Sequence, residues 1–102
     1  MTEAYENAKL VTVCLQIGNS DNKLTQQEWS GYAWRMDEIV TDFARERHFF
    51  GGPATTARWQ NACWVFVMEK QRLEGMQRRL TEARSFYNQD SVALLVGETQ
   101  FV

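Results

Sequence analysis

Every residue from Ala62 to Met68 is apolar, so this stretch is hydrophobic at both alternations of a strand and has two faces to bury. That condition limits the fold more than any other feature of the chain. The segment Asn61–Glu69 must lie inside a sheet, with other elements packed on one face and something further on the second.

A second strand is legible over Leu10 to Ile17. There Val11, Val13, Leu15 and Ile17 alternate with Leu10, Thr12, Cys14 and Gln16, and Gly18 followed by Asn19, Ser20, Asp21 and Asn22 supplies the turn. Thr25-Gln26-Gln27-Glu28 matches the capping box, in which the hydroxyl and the carboxylate each satisfy an orphan amide at a helix start. Behind it Trp29, Tyr32, Ala33, Met36, Ile39, Val40 and Phe43 recur at three and four, which predicts an amphipathic helix from Gln26 to about Arg45. Residues 47–50 read as a short strand stopped by Gly51-Gly52-Pro53, with a loop from Ala54 to Gln60. A second helix is expected over residues 70–87 on the stripe Leu73, Met76, Leu80, Ala83 and Tyr87. A last strand is expected over Val92–Val96, with a chance to resume near Gln100.

The order strand, helix, strand, strand, helix, strand predicts an α+β fold of the ferredoxin-like βαββαβ kind, two helices on one face of a four-stranded antiparallel sheet. Two expectations follow. The turns after the first strand, between the second and third strands and before the fourth all fall at one end of the sheet, where a polar site belongs. The second sheet face is apolar instead of wet, with either Trp64, Phe66 and Met68 or Cys63, Val65 and Val67 upon it. We place Cys14, Trp64, Phe66 and Met68 there as a homodimer surface, because exposed apolar patches of that size mark interfaces.

The chain has 102 residues, 44% hydrophobic and 24% charged, as expected for one globular domain with a short lead-in over residues 1–8. Its net charge of −2 argues against a nucleic-acid or anionic-membrane partner. No apolar run approaches membrane length and no signal segment opens the chain, so a cytoplasmic location is expected. Cys14 and Cys63 sit inside strands and read as buried or half-buried thiols, able to pair if those strands are neighbours. With His48 as the sole histidine, neither a zinc site nor a cofactor is expected.

The candidate chemistry is sparse. His48 is the one possible imidazole base, a lone general acid/base at most, with Asp21 and Tyr32 as the polar groups of a pocket in an enzyme reading. Residues 21–29 are similar to the second half of an EF-hand loop, but Ile17 and Asn22 stand where aspartate and glycine are required. The third strand is similar to the aromatic strand of RNA-recognition modules. Against single-stranded RNA binding stand the charge, the lack of an aromatic in the first strand and the lack of a basic residue before Ala62. The loop carrying Thr55, Thr56, Arg58, Trp59, Gln60 and Asn61 joins an aromatic, an arginine and amides, the residue types that anchor interfaces. Asn19 and Asp21 on the facing turn complete the expected partner-binding set. The expectation is a non-enzymatic protein-interaction module, homodimeric, with an accessory, inhibitory or regulatory role.

Overall fold

The computed structural model describes residues 9–19, 21–53 and 59–102. In chain order they form β1 (Leu10–Gly18), α1 (Gln26–Phe43), β2 (Glu46–Gly51), β3 (Asn61–Glu69), α2 (Leu73–Phe86) and β4 (Ala93–Gly97). The strands make one antiparallel sheet in the order β2-β3-β1-β4. This is the ferredoxin-like arrangement that the order of elements predicts. The lead-in, Ser20, Thr55, Thr56 and Arg58 lie outside the described residues.

Helix α1 begins where the capping box puts it. Thr25 Oγ1 accepts from the Glu28 amide at 3.1 Å, and Glu28 Oε1 accepts from the Thr25 amide at 2.9 Å. The helix ends at Phe43, short of Arg45, because Ala44 is already extended and the Arg45 amide donates to Val67 O at 2.7 Å. Helix α2 is preceded by a 3-10 turn, Lys70–Arg72, since Glu69 still has strand geometry and no side chain caps the first turn. The last strand starts one residue later than expected, at Ala93, and ends at Gly97 without resuming near Gln100.

Register decides the faces. Leu15 stands opposite Trp64 and Val13 opposite Phe66, while Cys14 faces Val65 and Gln16 faces Cys63. Trp64, Phe66 and Met68 are fully buried under the helices, so their placement on the open face is corrected. The bulky side chains fill the volume between sheet and helices, against Tyr32, Met36, Ile39 and Met76. A polar contact fixes that choice: the Trp64 indole N–H donates to Asp37 Oδ1 of α1 at 2.9 Å. The smaller set, Cys63, Val65 and Val67, is left on the other face with Cys14.

Strand β2 pairs with β3 through a register break at His48, between Arg47 and Phe49. The bulge turns Phe50 toward the helix side, where its ring lies 5.1 Å from that of Trp64, and leaves Phe49 opposite Val65 on the open face. Gly51 does not adopt a positive φ. Its role is close approach, since a Cβ there would sit 2.5 Å from the Phe49 ring.

Candidate functional site

Three connections meet at one end of the sheet and enclose a cleft of about 520 Å³. Its rim includes Asp21 from the β1–α1 turn, Trp59 and Asn61 from the entry to β3, and Gln89, Asp90 and Ser91 from the α2–β4 turn. Its floor reaches the open sheet face through Gln16, Cys63 and Ala93. Trp59 keeps 49% of its surface exposed here, a large price in uncovered apolar area for a residue with no use.

The turn after β1 is built around Asn19. Its side chain accepts from the Leu24 amide and donates to Leu24 O, both at 3.1 Å, and its Nδ2 also lies 3.3 Å from Gln60 Oε1. The Asn19 amide donates to Gln60 O at 2.9 Å. Asn19 is only 3% exposed and its groups are engaged, so it holds the site's frame and offers no surface to a partner. Gln60 is clamped as well, in a reciprocal amide pair with Gln26 at 2.9 and 3.2 Å. Asn22 completes the turn with φ of 57°, a left-handed conformation that asparagine tolerates.

Asp21 takes the ordinary Asx-turn bond, accepting from the Lys23 amide at 3.1 Å. Lys23 Nζ bridges the two carboxylates of the rim, 3.5 Å from Asp21 and 4.0 Å from Asp90. On the far side Gln89 is buried, its Nε2 donating to Tyr87 O and its carbonyl accepting from Arg84, each at 3.1 Å. Asn88, with φ of 57°, ends α2 and aims that turn at the cleft. The structure thus brings together Asp21, Trp59 and Asn61, and adds Gln89, Asp90 and Ser91. The turn composition of residues 88–91 was the available signal for the added three.

The groups of the enzyme reading do not converge. His48 lies at the bulge of an outer strand, with Nε2 3.1 Å from Glu46 Oε1. Tyr32 is in the core, and its hydroxyl has no partner among the described residues. Burial pushes that phenol up to about 12, with the Arg84 charge pulling it part of the way back. Of the three, only Asp21 lines the cleft. Among the described residues no group of three or more metal-ligating side chains is assembled. The aromatics of β3 that an RNA reading would use are buried beneath the helices.

The open face carries a pair of thiols. Cys14 Sγ and Cys63 Sγ are 3.5 Å apart on neighbouring central strands, both free, and Gln16 Nε2 lies 3.7 Å from the first. Burial, then the bond to Cys14, raises the Cys63 thiol above its ordinary range. Around the pair, Phe49 and Leu95 are 55% and 72% exposed, two residues that sequence patterning did not single out.

Among the described residues no helix is long and apolar enough to cross a membrane. Neither a family model nor a curated protein matches the sequence. Among solved structures, the chain is similar to the crystal structure of a dimeric ferredoxin-like protein of unknown function from Thermobifida fusca YX. The TM-score is 0.60 at 8% identity, over 88% of this chain and 92% of that one. At that identity the likeness speaks to fold alone, and with the strand order it shows that the chain has the ferredoxin-like α+β fold.

Proposed function

We propose that the protein is a non-enzymatic interaction module that pairs with a second copy through its open sheet face and meets another protein at the loop-end cleft. An accessory, inhibitory or regulatory role suits such a module. The observation that carries this reading is the open face itself. Thr12, Cys14, Gln16, Cys63, Val65, Val67, Ala93 and Leu95 share it by register, and none of them is charged. Phe49 and Leu95 project from it, as anchors do at the dry centre of an interface. At its margin stand Glu46 and Glu69, the latter paired with Arg45. The solved relative in fold is described as dimeric, which supports the same assembly here.

The cleft supports the second half of the reading. A half-exposed tryptophan beside carboxylates and amides has the composition of a recognition site. The dispersal of His48, Tyr32 and Asp21 over strand edge, core and turn weighs against a lone acid/base enzyme.

Light scattering over a wide concentration range tests the assembly. The wild type should persist as a dimer and Leu95→Lys should run as a monomer with unchanged secondary structure. A monomeric wild type would sink the face-to-face dimer. Capture of partners from the native host, by wild type and by the Trp59→Ala, Arg58→Ala double variant, tests the cleft. Undiminished capture by the double variant would remove the cleft from the interface.

A further inference from the structure

The two edges of the sheet are unlike. β2 carries Glu46, Arg47 and His48 and slips register at His48. Charges and bulges are the devices that keep foreign strands off an edge. β4, the opposite edge, reads Ala-Leu-Leu-Val-Gly, without charge or proline, and keeps one unbroken register with β1. Among the described residues its outer side has no strand partner, so a row of main-chain donors and acceptors stands ready for one.

Beside that edge lies a groove of about 400 Å³ between α2 and β4. Leu80, Val92 and Leu94 give it an apolar base, and Gln77, Thr81 and Arg84 give it a polar wall. On the helix side of β4, Val96 stays 37% exposed next to the half-buried Leu94. A strand edge with an adjoining helix groove is the geometry of recognition by strand addition, where the main chain supplies affinity and the groove reads alternate side chains. The groove also shares Asp90 and Ser91 with the loop-end cleft. One path therefore runs along β4, around Ser91 and on to Trp59.

We propose that this path takes an extended segment of a partner protein, added antiparallel to β4, with apolar side chains at alternate positions and a Lys or Arg beyond them. Every pairing in the sheet is antiparallel, and antiparallel addition is the more stable kind. It sends the segment's C-terminal end past Ala93 toward the cleft. There, among the described residues, Asp21 and Asp90 outweigh the Lys23 that bridges them, and the half-exposed Trp59 offers an indole on which a cation can rest. The proposal rests on the partner-binding reading and names the chemistry of the partner.

Selection of short random peptides displayed on phage against the purified protein tests it. Enriched peptides should alternate apolar residues and then place a Lys or Arg toward the C-terminus. A synthetic copy, titrated by fluorescence anisotropy, should slow amide exchange in β4. Its affinity for Val96→Lys should fall about tenfold or more, while Val96→Thr should bind as the wild type does. Methylating alternate backbone nitrogens of the peptide should abolish binding in one phase and spare it in the other, which requires no variant to fold. Absence of enrichment would overturn the proposal, as would peptides that bind Val96→Lys and fully methylated forms equally well. Dependence on Trp59 and Asp21 without dependence on β4 would overturn strand addition yet leave the cleft reading standing. Dissociation of the protein's own oligomer by Val96→Lys would assign the edge to a second copy and likewise overturn it.

Discussion

At Asp37 one carboxylate settles two questions, the orientation of β3 and the anchoring of β2. It accepts the indole N–H of Trp64 and pairs with the guanidinium of Arg47. The hydrogen bond from Arg47, aided by that from Trp64 against a desolvation cost, holds the carboxyl below its ordinary 3.8. A group depressed in this way stabilises the fold above its unfolded value and loses that contribution as pH falls through the folded one. Asp37→Asn keeps an oxygen for Trp64 but not the charge. Its deficit against the wild type in urea unfolding should therefore be present at neutral pH and should vanish as the pH is taken below 3.8. A deficit that is constant across that range would mean the charge is unimportant. Asn19 teaches the complementary lesson: sequence marks it as polar and turn-forming, but only its five hydrogen bonds show that it faces inward.

Among the elements, those with a local signal were legible and those fixed by distant contacts were not. The alternation of β1 and the apolar run of β3 locate both strands, and the capping box sets the first residue of α1. Removing that cap by Thr25→Ala should cost about 1 kcal/mol in urea unfolding at neutral pH. A loss indistinguishable from zero would show that tertiary packing alone sets the helix start. Which face of β3 points inward was not readable, because apolar residues occupy both alternations and the arbiter, Asp37, lies on another element. Nor was the bulge in β2, since a single extra residue leaves no trace in so short a pattern. The cleft was legible as a meeting of turns. The outward aim of Trp59 and the contribution of Ser91 depended on how those turns pack.

The whole molecule has a closed side and an open one. Helices α1 and α2 seal one sheet face with large side chains, down to the full burial of Trp64 and Phe66. The other face ends in small and medium residues, from which Phe49 and Leu95 project. This asymmetry follows from volume: the space under two helices takes the bulky alternation of β3, and the slim alternation is what remains. It also puts the thiol pair at a telling place. Cys14 is the midpoint of β1 and lies on one of the two inner strands, near the centre of any partner that covers the face. The two sulfurs are thereby a gauge of occupancy. Because burial and the contact with Cys14 raise the Cys63 thiol, it should react slowly at neutral pH even when bare, so coverage is read by varying protein concentration at fixed, mildly alkaline pH. The alkylation rate, followed by mass, should fall as the protein is concentrated and stay flat in the Leu95→Lys variant. Parallel curves for the two proteins would mean that no second copy rests on this face, and the chain's own thiols would have reported it without a partner in hand.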